Sequence, residues 1–109
     1  MAKDDYFVIV YRILKYLYEC LKKGEKPDFS NLDYEHLEIN EVYWKYIIIS
    51  MLGSGFISGI HLIESNHRPI IRDIGIIITP AGIEYLFENN LLQKVKRALK
   101  DVKDIAPFA

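Results

Sequence analysis

The chain has 109 residues, a length that suits one domain with a single core. Half of them are apolar and 13% are aromatic, eight being Tyr, so there is material for a packed interior with apolar surface to spare. With 14 Lys plus Arg against 15 Asp plus Glu the net charge is -1, which excludes an overall basic field, so any attraction to nucleic acid or an anionic membrane has to be local. No apolar run approaches the roughly 20 residues a bilayer demands. Cys20 has no second cysteine to pair with, and no charged-then-apolar leader opens the chain. Both features lead to the expectation of a cytoplasmic protein.

Asp4 and Asp5 stand at the head of a periodic stretch that closes on Lys22-Lys23-Gly24, which predicts a helix over Tyr6–Lys23 with its charges matched to the dipole. Its apolar residues form two stripes, one of Val10, Ile13, Leu14, Leu17 and Leu21, the other of Phe7, Tyr11 and Tyr18. Such a helix needs cover on more than one side. Glu25-Lys26-Pro27-Asp28 breaks the pattern, Phe29 to Leu32 reads as a short strand or an extended link, and Asp33 to Leu37 as one short helical turn. Asn40 then offers an N-cap for a helix from Glu41 to about Leu52, ended by Gly53, Ser54 and Gly55. Trp44, Ile47, Ile48 and Met51 follow helical spacing and define its core face, while Val42, Tyr46 and Ile49 make the opposite face apolar as well.

Phe56 to Ile63 and Arg72 or Asp73 to Ile78 are rich in β-branched residues and read as two strands, with Asn66, His67, Arg68 and Pro69 at the bend. Thr79 precedes Pro80 as a capping hydroxyl before a proline at the first helical position, opening a short helix through Ile83 to Phe87. Asn89 and Asn90 interrupt it. A last helix from Leu91 to about Val102, reaching at most residue 105, carries Leu92, Val95, Leu99 and Val102 at heptad-like spacing with lysines around them, and Ala106 to Ala109 reads as a frayed tail. Helices, then a hairpin, then helices is the order of a winged helix-turn-helix domain. The expected fold is therefore α+β and covers residues 1–109 as one domain: three N-terminal helices, a two-stranded β-wing with an optional third strand near Phe29, and C-terminal helices.

Three stretches carry a resemblance: the basic Gly turn Lys22-Lys23-Gly24, the passage Gly55-Phe56-Ile57-Ser58-Gly59-Ile60, and the phrase Ile78-Thr79-Pro80-Ala81-Gly82-Ile83-Glu84-Tyr85-Leu86. Over nearly its whole length the chain resembles the small winged-helix proteins of the YjcQ-like family, found in bacterial chromosomes and in phages. The resemblance implies the fold directly and an activity only by analogy, that analogy being DNA binding.

DNA binding asks for polar readers on the third helix and for Lys or Arg against phosphates. The helix after Asn40 has only Lys45, opposed by Glu41, and no Arg, Asn or Gln. On this reading the expected contacts are Tyr43 and Lys45 on that helix, His67, Arg68 and Arg72 on the wing, where Glu64 and Asp73 flank them, and Lys96, Lys100 and Lys103 on the last helix. The competing expectation is a homodimer through surplus apolar surface, with Val42, Tyr46, Ile49, Leu92, Val95 and Leu99 at its interface. The alternative function is accordingly a protein-interaction module that keeps the winged-helix core without DNA. No enzyme is expected. His36, His61 and His67 show no metal-ligand spacing, His61 reads as a half-buried strand residue, and Gly53, Gly55 and Gly59 lack the Lys-Ser or Lys-Thr of a phosphate loop. Neither a cofactor nor a metal is expected.

Overall fold

The computed structural model describes residues 4–66 and 68–105. The chain runs α1 (Tyr6–Lys23), a 3-10 turn (Phe29–Asn31), α2 (Tyr34–Leu37), α3 (Glu41–Gly53), β1 (Ile57–Ser65), β2 (Arg68–Ile78), α4 (Pro80–Leu86) and α5 (Asn89–Ile105). Side chains set most of the helix starts. Asp5, Asp33, Asn40 and Thr79 each accept a hydrogen bond from a backbone N–H in the first turn of the helix that follows. Gly24, at φ 70°, ends α1 in the left-handed conformation that glycine adopts without strain.

The main core forms where the inner stripe of α1 (Ile9, Ile13, Leu14, Leu17) meets the inner face of α3 (Trp44, Ile47, Ile48, Met51) and the base of the hairpin (Ile57, Ile60, Ile76, Ile78). The indole of Trp44 donates to the carbonyl of Leu32 at 2.7 Å, with the rings of Phe29 and Tyr34 edge-on and tilted against it. This accounts for the stretch near Phe29 being a 3-10 turn where a strand or extended link was expected. The Asp28 carboxylate accepts from both the N–H and the hydroxyl of Ser30, and that local pairing curls the backbone under the tryptophan. The sheet is consequently two-stranded.

The second stripe of α1 is covered within the chain. Val8 packs with Leu91 and Val95 of α5, flanked by Phe7, Tyr11, Tyr85 and Ala98. The last helix also begins earlier than expected, at Asn89, so the two asparagines belong to it and do not merely interrupt. The hairpin is longer than its sequence suggests, since Ser65 pairs with Arg68 and both Arg68 and Pro69 lie in β2, outside the bend. Near its base the register slips: Gly59 alone faces Ile74, Gly75 and Ile76, and the Asp73 carboxylate accepts from the N–H groups of Gly75 and Ile76. A methyl on Gly59 would overlap the carbonyl of Gly75, so this bulge admits only glycine there. Gly82 is similarly confined, against the carbonyl of Phe56, where α4 abuts the entry to the hairpin. The frayed tail expected at Ala106 to Ala109 lies outside the described residues.

Candidate nucleic-acid interface

Pairing in the hairpin sorts its side chains onto two faces, because directly opposed residues point the same way and neighbours alternate. Ile60 with Asp73, Leu62 with Ile71 and Glu64 with Pro69 share one face. Ile60 is buried and Ile71 packs on the core, so this is the inner face. His61 with Arg72, Ile63 with Ile70 and Ser65 with Arg68 make up the outer face. His61, Arg68 and Arg72 are all exposed there. Glu64 and Asp73, which flank the cations in sequence, are turned to the opposite face, and the Asp73 carboxylate is occupied by the bulge. These three rungs therefore carry cations and apolar side chains with no carboxylate among them.

His61 was not among the expected contacts. Its position in an apolar strand suggested a half-buried filler, yet it is exposed opposite Arg72. The signal was present in the alternation: His61, Ile63 and Ser65 fall on one side of their strand, Arg68, Ile70 and Arg72 on one side of theirs, and a turn between Ser65 and Arg68 brings the two sets onto one face. Arg68 and Arg72 thus share one face, Arg68 in the last rung before the turn and Arg72 farther toward the base of the ribbon. His67 lies outside the described residues.

The other expected contacts are differently placed. On α3, Lys45 is drawn to Glu41, its Nζ lying 3.6 Å from Oε2. The Tyr43 hydroxyl donates to the carbonyl of Asp4 at 2.7 Å, and burial first, then the carboxylates of Asp5 and Asp4, push its pKa above the usual tyrosine value. That phenol braces the start of α1. Lys96 and Lys100 are exposed on α5, which packs on α1 and α4, whereas Lys94 lies over the ring of Phe7 at 4.4 Å. The side chain of Lys103 is outside what the structure describes.

The residues expected to form a dimer interface separate as well. Val42 and Tyr46 are 76% and 65% exposed on the outer side of α3, and Ile49 beside them is half-buried. On α5, Leu99 is exposed and Leu92 half-buried, but Val95 is only 8% exposed because it seats against Val8 of α1, which removes it from any free surface. Among the described residues no three His, Cys, Asp or Glu side chains are grouped to hold a metal ion, and no helix is long and apolar enough to cross a membrane.

Three helical segments, a two-stranded hairpin closing directly onto α4, and a terminal helix laid along α1 define an α+β protein of winged-helix arrangement. The chain belongs to the YjcQ family, whose model, described as YjcQ protein, matches residues 11–105. No curated relative and no solved structure matches the chain.

Proposed function

We propose that this protein is a small, non-catalytic DNA-binding or transcription-regulatory accessory protein of bacterial or phage origin, working in the cytoplasm and gripping the duplex chiefly with its wing. One observation carries the reading: the hairpin register gathers His61, Arg68 and Arg72 on one exposed face and turns Glu64 and Asp73 to the other. A protein of net charge -1 has no long-range pull on DNA, so a local cationic face is what phosphate contact requires. Lys96 and Lys100 add exposed charge on α5.

The test is binding of the purified protein to random-sequence duplex DNA at about 50 and 200 mM salt, the range in which phosphate contacts reveal themselves. Binding that weakens steeply with salt supports the proposal. Absence of binding at the lower salt removes it.

A second reading rests on the outer side of α3, where Val42 and Tyr46 leave apolar surface in solvent. Self-association through that face is compatible with a wing that binds DNA, because the two surfaces lie on different elements; the alternative is a protein-interaction module in which this face works alone and no DNA is bound.

A further inference from the structure

The outer face of the wing has a repeat along the ribbon. Arg68, Ile70 and Arg72 recur at every second residue of β2, opposed by Ser65, Ile63 and His61 on β1. Two residues of antiparallel strand advance about 6.8 Å, close to two base steps of about 3.4 Å each. A cation, an apolar pair and a cation are thus presented at intervals of roughly two base pairs.

From this spacing we propose that the wing lies in the major groove of B-form DNA and reads sequence there. Arg68 and Arg72 each take a guanine, and the Ile63–Ile70 rung between them packs on a thymine methyl. This deepens the DNA-binding reading and rests on it. The groove choice follows from size and chemistry. A two-stranded ribbon, with strands about 4.8 Å apart before side chains are added, is admitted by a major groove about 12 Å wide but not by an undistorted minor groove of about 6 Å. Only the major groove displays the guanine acceptors that match a guanidinium fork, and the methyl that an isoleucine covers without leaving a polar group unpaired. Ile70 is 46% exposed in the free protein, a β-branched side chain with apolar surface still in water between two charges. The deep, narrow major groove of A-form RNA excludes the same ribbon. The site so defined is guanine, thymine and guanine at alternate base pairs, on either strand.

The experiment selects tight binders from a library of randomised DNA duplexes, then remakes the selected duplex with deoxyuridine in place of the thymine, which deletes only the methyl. The expected result is enrichment of the alternating guanine–thymine–guanine pattern. Loss of the methyl should then weaken wild-type binding about fourfold, the effect of one buried carbon. Ile70→Ser, checked by circular dichroism for a native fold, should bind the two duplexes equally. Enrichment of other sequences, an unchanged affinity for the deoxyuridine duplex, or salt-dependent binding with no enrichment would each overturn the major-groove assignment and leave DNA binding standing. No binding to any duplex at 50 mM salt, the condition set by the phosphate term, overturns both.

Discussion

The third helix and the wing divide the surface in a way opposite to what helix-turn-helix order suggests. In that order the helix after the turn is the reading element, yet α3 turns Val42 and Tyr46 outward and holds Lys45 at Glu41. The wing, in sequence a mixture of apolar and charged residues of both signs, separates them by pleat and register, so that its outer face is cationic and its carboxylates lie beneath. Composition fixes how much charge a chain has; strand geometry decides where it is concentrated. A net charge near zero therefore says little about a surface that a hairpin has sorted.

The largest effects test whether the inner side of α3 is purely structural while its outer side is free. Trp44→Ala should cost about 3–5 kcal/mol in urea unfolding, because the indole fills the main core and its N–H is spent on the Leu32 carbonyl. Val42→Ala, one turn edge away on the exposed side, should stay within about 0.5 kcal/mol of the parent. Equal costs at the two positions would mean the face assignment of α3 is wrong.

Gly59→Ala strikes the wing itself. Since the added methyl meets the Gly75 carbonyl, the bulge must open at a cost of roughly 1–3 kcal/mol, and the register that sorts the charges goes with it. The helical circular-dichroism signal should persist while DNA affinity falls; affinity that stays put would separate binding from the wing's geometry. Arg68→Ala combined with Arg72→Ala leaves the hairpin intact and removes two cations. On random-sequence duplex, where the two guanidinium groups meet phosphate in place of guanine, the slope of log affinity against log salt should become shallower by about 2, which over a fourfold change in salt reduces the loss of binding by about tenfold, and on the selected duplex the preference for the two guanines should be lost. The paired Lys96→Ala and Lys100→Ala substitutions on α5 gauge what lies outside the wing, and a larger change there would relocate the interface.

Much of this architecture was legible from residue patterns. Helical periodicity and capping residues set α1, α3 and α4, and the turn before the Thr79-Pro80 start marked the hairpin. What escaped were features decided by partners distant in sequence. The curl at Phe29 depends on Asp28 and on the indole of Trp44, the end of the hairpin on Ser65 meeting Arg68, and the bulge on Gly59 approaching Gly75. The site was legible in part: Arg68 and Arg72 were foreseen, but His61 joins them only once the strands are registered. Val95 was misassigned to an exterior because a heptad-like stripe looks the same whether its partner is another copy or Val8 of the same chain.

That ambiguity remains physical at Ile49, half-buried beside the two exposed residues of α3. If the outer side of α3 joins two copies, Ile49→Glu should shift sedimentation toward the monomer with helicity retained, and DNA binding per monomer through the wing should persist, with only avidity lost. An unchanged profile puts any self-association on another surface.

The smallest expected effect concerns Tyr43, which separates a DNA-contacting α3 from a purely supporting one. Its hydroxyl donates to the Asp4 carbonyl, so Tyr43→Phe should cost about 0.5 kcal/mol at neutral pH, near the low end for a partly exposed hydrogen bond, and leave DNA affinity unchanged. The pH dependence gives the independent check. Burial and the neighbouring Asp5 and Asp4 favour the neutral phenol in the folded protein and raise its pKa above 10.0. The stabilisation it provides is thus fully present below the ordinary tyrosine value and is lost as pH rises through the raised one. Tyr85, raised by burial, and Tyr34, raised chiefly by Glu41, decline in the same alkaline range, so the variant should keep a fall in stability above that pH but a shallower one than wild type. Identical alkaline profiles with a weakened grip on DNA would instead put the phenol at the nucleic acid, and would return α3 to the reading role that its exposed valine and tyrosine argue against.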